Sequence, residues 1–271
     1  DGSRVFSQIA SYTNDSSWYQ AADDAVFVYR RYIVPNKYAA AGYMIFTKGL
    51  FESYKRTNDV NYKNDIISLS QKASFALDGT PLAWTAPTSA SREVAYNIIS
   101  MGLAEQLGAP HRARYDSLVN QALSHIDQWF VSKSAPYVRP FMVGLTADAL
   151  IEHYNWTKDP RVLPALKIAA DGLWATTWLP NSKAFMYTDR IAPDNSGDMR
   201  PSPDLNNLIV HMYAWIWHMT GDVSYRDKAD QIFSGGVLGG YLAGGKQFNQ
   251  NYKSAFDYLK YRNATPVTCG G

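Results

Sequence analysis

The sequence predicts an all-α fold of four to five helical hairpins, with inner helices ringed by outer ones. Three observations carry this. First, one connector pattern recurs: an aromatic residue stands three positions before Thr-x-Asp at Tyr54/Thr57/Asp59, Tyr154/Thr157/Asp159 and Trp217/Thr220/Asp222. Second, an apolar run precedes each connector and an amphipathic run follows it. Third, strand-type alternation is confined to short stretches such as Phe185-Met186-Tyr187.

The elements follow in chain order. Segments 5–12 and 21–32 read as helical, an outer partner closing the N-terminal side. Helical pairs then span about 38–77, 93–131, 140–175 and 204–234. A further helix over 250–261 starts a fifth pair or caps the ring. The inner members 38–50, 94–107, 141–151 and 205–217 are apolar nearly all round, the pattern of a helix buried on every face. The outer members are one-sided. Leu118, Val119, Ala122, Ile126, Trp129 and Phe130 form one stripe, with Asp116, Gln121, Ser124 and Gln128 mostly opposite. In the connectors, Thr or Gly ends the first helix, and Asp caps the next by accepting from an orphan backbone N–H. Gly108-Ala109-Pro110 does the same work in the second pair, with Gly at a helix end and Pro just beyond. The Gly-rich stretch 235–245 reads as a flexible connector. Residues 1–271 read as a single domain with no linker.

Composition sets exclusions. Lys and Arg number 26 against 24 Asp and Glu, with no basic block, which argues against a nucleic-acid partner. An apolar fraction of 46% excludes disorder, and a single cysteine, Cys269, excludes a disulfide scaffold. The longest apolar run, 208–217, contains His211 and falls far short of the roughly 20 residues of a membrane span. Cysteine poverty with Asn, Ser, Tyr and Trp richness suits a secreted or periplasmic bacterial protein. The chain opens at Asp1 with no signal-peptide pattern. Sequons at Asn14, Asn155 and Asn263 occur as often by chance.

Segment 217–225, Trp-His-Met-Thr-Gly-Asp-Val-Ser-Tyr, and its counterparts at 54–62 and 154–162 resemble the hairpin connectors of the (α/α) toroids. These are the six-hairpin glycosidases and the related (α/α) polysaccharide lyases. The resemblance covers most of the chain and is architectural. It implies an incomplete (α/α) toroid of about four to five hairpins, since a complete ring is longer. It also implies a carbohydrate-active protein with a polysaccharide or oligosaccharide partner. Hydrolases, lyases, isomerases and non-catalytic relatives share the architecture, so fold alone does not choose among them.

In such a ring the connectors between pairs gather at one mouth. Here they are the long ones, 78–92, 132–139, 175–204 and 234–250, and long loops without structure of their own are often functional. The candidate catalytic residues are His211, Tyr187, Asn207, Arg139 and Asp189. The candidate substrate-binding residues are Trp84, Arg92, Tyr96, Asn97, Tyr137, Arg190 and Trp178. A Trp face covers the apolar face of a pyranose, and an Arg fork binds a carboxylate at two points.

Two enzymatic readings compete. A uronate lyase needs a charge neutraliser (Asn207, Arg139 or Arg190) and a base and acid (His211 with Tyr187 or Tyr213). A glycoside hydrolase needs a carboxylate pair, drawn from Glu93, Asp189, Asp194, Asp198 and Asp204. The inner helices carry few carboxylates, which favours the lyase. The third reading, from a different class, is a non-catalytic glycan-binding or assembly module. Each polar candidate also has a plain structural role: Asp204 and Glu93 as helix-start acids, His211 as a core histidine, Trp84 folded on the rim. No cofactor and no metal is expected. His111, His125 and His153 fall on connectors or outer-facing positions. His211 and His218 stand two turns apart, too far to chelate one ion without other ligands.

Overall fold

The computed structural model describes residues 1–191, 198–242 and 244–267. Helix accounts for 71% of it, and the described residues hold twelve α-helices beside one two-stranded sheet, so the all-α class stands. The chain divides into two compact units, 1–122 and 123–271.

In the first unit α1 (Gly2–Thr13) packs on α2 (Ser17–Ile33), and α1 also meets α3 (Thr47–Thr57). The hairpin of α3 with α4 (Val60–Lys72) is followed by α5 (Ser91–Gln106) and by α6 (Ala113–Ile126), which opens at the end of this unit. Val5, Ile33, Leu50, Ile66, Leu69, Ile98 and Leu118 are buried to 1% exposure or less. Each such side chain contributes about 1.5–3 kcal/mol by leaving water.

In the second unit a π-turn over Asp127–Val131 leads to α7 (Pro140–Thr157), paired with α8 (Val162–Thr177). A short antiparallel hairpin, β1 (Trp178–Leu179) and β2 (Ala184–Phe185), comes next. Then follow a 3-10 turn (Pro203–Leu208), α9 (Val210–Thr220), α10 (Val223–Gly239), α11 (Gly245–Tyr252) and α12 (Ala255–Asn263). α9 packs on α7, α8, α10 and α12, which makes it the buried member of the unit. Trp215, Tyr213, Ile216 and Met212 are all 0–1% exposed.

The three repeated connectors are built alike. The C-cap residues Asn58, Lys158 and Gly221 take φ of 57°, 60° and 70°. Their N–H groups donate to the carbonyls of Tyr54, Tyr154 and Trp217, each at 2.8 Å. Thr57, Thr157 and Thr220 each donate to the carbonyl four residues back and accept the N–H of the following Asp. Asp59, Asp159 and Asp222 then accept from Asn61, Arg161 and Ser224, all at 2.9 Å. One left-handed residue closes the first helix, and the Asp satisfies an N–H at the start of the second.

Four sequence expectations need correction. The inner helix read from residue 38 starts at Thr47, because Lys37 and Tyr38 take φ of 51° and 65°, which a right-handed helix cannot carry. The apolar residues before it, Ala40 and Ile45, are a buried connector instead. The Gly-rich stretch is no loose connector at its start. Gly235, Gly236 and Gly239 lie inside α10, where a Cβ on Gly235 would run into the Lys183 carbonyl and one on Gly236 would meet Asn207 at 2.6 Å. His125 and His153 are not surface residues; they are 0% and 7% exposed. The helix read over 250–261 breaks between α11 and α12 at Lys253-Ser254.

Candidate functional site

The richest polar cluster lies in the second unit, where the segment before α7 meets the loop after β2. Val138 donates its N–H to Asp189 Oδ1 at 2.7 Å, and Asp189 returns its own N–H to the Val138 carbonyl at 3.0 Å. The loop is fixed from its other side too. Thr188 donates its N–H to the Asp198 carbonyl and accepts the Asp198 N–H on its hydroxyl, both at 3.0 Å. Tyr187 donates its N–H to the Arg200 carbonyl at 3.2 Å.

This lacing brings five of the candidates together. The Arg139 guanidinium lies 4.6 Å from the Tyr137 ring centroid and 5.8 Å from that of Tyr187. Phe141 backs Tyr187 with ring centroids 5.6 Å apart. Arg190 grips Asp189 Oδ2 through Nε at 3.0 Å and Nη2 at 2.7 Å. Tyr137, Arg139, Tyr187 and Asp189 are half-buried and Arg190 is exposed. A guanidinium beside two aromatic rings keeps its charge and sheds part of its water.

The other candidates of this unit go elsewhere. Asn207 is 1% exposed and donates to Asn251 Oδ1 at 2.6 Å. It belongs to the 3-10 turn before α9. His211 is 1% exposed within α9. Tyr213 is fully buried and donates to the Ala170 carbonyl at 2.7 Å, and burial raises its phenol well above the ordinary value. Trp178 stacks on Trp174 at 4.6 Å and meets Phe185 edge-on at 5.0 Å, so its faces serve packing.

The first-unit candidates form their own group. Arg92 lies 5.2 Å from the Tyr43 ring and bonds Glu93 through Nη2 at 2.7 Å. Tyr96 meets Phe46 edge-on. Asn97 is fully buried and donates to the carbonyls of Ser74 and Glu93. Trp84 remains 64% exposed.

The carboxylates are largely engaged. Glu93 takes Arg92, and Asp198 takes Arg200 at 2.6 Å; Arg200 holds the Asp198 carboxyl below its usual range. Asp204 sits half-buried in the 3-10 turn. Asp194 falls outside the described residues, as does Cys269. Among the described residues no group of three or more His, Cys, Asp or Glu is placed to hold a metal. Among the described residues no helix is long and apolar enough to cross a membrane.

No family model matches the chain, and neither a curated protein nor a solved structure matches it. The chemistry of the cluster therefore rests on its own geometry.

Sequence reasoning missed one polar pair. Asp148, alone in the apolar run of α7, meets Lys253 Nζ at 3.2 Å with side chains 4% and 11% exposed. A single carboxylate in the largely apolar stretch 141–151 was the available signal, since such a charge is kept only when paired. Asn206 was missed as well. It accepts from the Phe185 N–H and donates to the carbonyls of Lys183 and Ile232, tying β2 to α10.

Proposed function

We propose that the protein recognises an acidic glycan through Arg139, with the uronate carboxylate on its guanidinium edge and a sugar face against Tyr137 or Tyr187. The observation that supports this reading is the placement of Arg139 beside the half-buried rings of Tyr137 and Tyr187, on a segment bonded to the Asp189 loop. A bidentate guanidinium–carboxylate contact in a partly dehydrated site is stronger than its surface counterpart.

The chemistry that suits such a site is lyase-type elimination. Neutralising the uronate carboxylate acidifies the proton on the carbon beside it. A base removes that proton, a double bond forms to the next carbon, the glycosidic oxygen leaves and an acid protonates it. Tyr187, beside Arg139, is the group we assign to the proton handling. A hydrolase is less well supported, because Asp189 spends both oxygens on Val138 and Arg190 and a hydrolase needs two available carboxylates. The burial of His211 and Asn207 favours the third reading, a glycan-binding module without chemistry.

We read the chain as one carbohydrate-active domain of the (α/α) toroid kind, acting outside the cytoplasm. The three similarly bonded connectors support the hairpin architecture. A panel of acidic and neutral polysaccharides tests the function. Unsaturated uronate product that disappears in Tyr187→Phe supports the lyase. New reducing ends without unsaturation support a hydrolase, and retention without products supports the binding module. No retention and no product with any uronate polymer would overturn all three.

A further inference from the structure

The first unit carries an open groove of about 360 Å³ along α2, lined by Asp23, Val26, Phe27, Arg30, Arg31, Val34, Pro35 and Tyr62. Positions 23, 26, 27, 30, 31 and 34 follow helical spacing, so one stripe of α2 makes one wall and Tyr62 of α4 stands on the other. Its size falls in the range of small-molecule sites.

The charges of this groove do not cancel. Asp23 is held by Arg56. Arg30 Nε lies 2.7 Å from Asp65 Oδ2, and its guanidinium lies 5.6 Å from the Tyr62 ring. Asp65 is 1% exposed and its other oxygen accepts from Tyr38 at 2.8 Å, so Arg30 is committed to a buried partner. Arg31 is different. It lies 5.9 Å from the Phe27 ring and, among the described residues, no carboxylate pairs with it. Stacking takes up the face of a guanidinium and leaves its N–H edge for an anion. Beside it the groove is apolar and open: Phe27 is 63% exposed and Val34 42%.

We propose that this groove binds a small amphipathic carboxylate, a flat apolar body carrying one anionic group, with the carboxylate on the Arg31 edge and the body against Phe27, Val34 and Pro35. Charge complementarity selects an anion, and the apolar lining excludes a free sugar acid. The groove shares no residue with the Arg139 cluster, and the proposal stands or falls without it.

Calorimetric titration of the full chain with 1-naphthoate and with neutral 1-naphthalenemethanol tests the proposal. One saturable naphthoate site is expected, at least tenfold tighter than the alcohol. Galacturonate should not displace it. Arg31→Gln should weaken naphthoate at least tenfold and change the alcohol less than twofold. Equal affinity of acid and alcohol for the unaltered chain, no saturable binding, displacement by galacturonate, or an Arg31→Gln chain that keeps full naphthoate affinity would each overturn it. The acid–alcohol comparison needs no variant and so does not depend on a variant folding.

Discussion

Val138 and Asp189 hold each other reciprocally, the Val138 N–H on the Asp189 carboxylate at 2.7 Å and the Asp189 N–H on the Val138 carbonyl at 3.0 Å. These two bonds decide where Arg139, next in the chain to Val138, stands against Tyr187, two residues before Asp189. Backbone and carboxylate thus position the guanidinium without the side chains of the cluster having to find one another.

Asp189→Ala should therefore destabilise the second unit by about 1–3 kcal/mol, because it orphans a buried N–H. Asp189→Asn keeps an acceptor at Oδ1 and loses only the charge facing the 59%-exposed Arg190, which is worth about 0–1 kcal/mol. Thermal unfolding of both variants checks the difference. Equal losses would mean that the ion pair, not the backbone bond, holds the loop.

Asp148 and Lys253 form a pair shielded from water. Lys253→Met should cost about 3–5 kcal/mol by leaving a buried carboxylate without its ammonium partner. Adding Asp148→Leu to that variant should recover part of the loss. Denaturant titration of the single and double variants reads this directly, and strictly additive losses would show that the two groups are not coupled.

Asp159 gives a pH signature. Its hydrogen bond with the Arg161 side chain, with further help from the Arg161 N–H and from His153, holds its carboxyl well below the usual range. A depressed value means that the folded chain binds this proton less readily than the unfolded one. Its stabilisation is thus present above about pH 4, the ordinary range of Asp, and fades as pH falls below that. The stability gap between the parent chain and Asp159→Asn should be constant from neutral pH down to about 5 and narrow in acid. A gap that widens in acid would contradict this assignment.

Gly235→Ala separates packing from propensity. Alanine gains about 1 kcal/mol in a helix interior, but its Cβ would meet the Lys183 carbonyl, and such overpacking costs typically about 1–3 kcal/mol. The variant should melt below the parent. Gly245→Ala is the control, since nothing lies within 4 Å of a Cβ there, and it should be neutral or slightly stabilising.

What the sequence makes legible is local and periodic. The Thr-x-Asp connectors were readable because every bond in them joins residues within four or five positions; Asp59 and Asp222 cap the next helix as expected, while Asp159 accepts from Arg161, itself the N-cap of α8. The apolar run 205–217 announced the buried α9, since burial on all faces leaves a mark on every residue. Periodicity failed where burial and helix part company. Residues 38–46 are largely apolar, with Ala40, Gly42 and Ile45 buried, but they follow left-handed residues at Lys37 and Tyr38. Glycines 235, 236 and 239 look like a loop, yet they are small because Lys183, Asn207 and Pro203 press against α10. These contacts span tens of residues and leave no spacing to read. The site was legible in part for the same reason. Arg139 and Tyr187 lie on connectors that the pattern marked as long, whereas the spending of Asn207 on Asn251 and of Trp178 on Trp174 depends on tertiary neighbours.

The measurement that bears most directly on the Arg139 site is retention on polygalacturonate against its methyl-esterified form, for the parent chain and Arg139→Ala, with melting curves to confirm that both are folded. The parent should bind the acid form and release the ester. Arg139→Ala should lose about tenfold to a hundredfold in affinity, the size of a charge-assisted bond worth about 1.5–3 kcal/mol. Equal retention of acid and ester, or an Arg139→Ala chain that binds as the parent does, would contradict acidic-glycan recognition at this cluster.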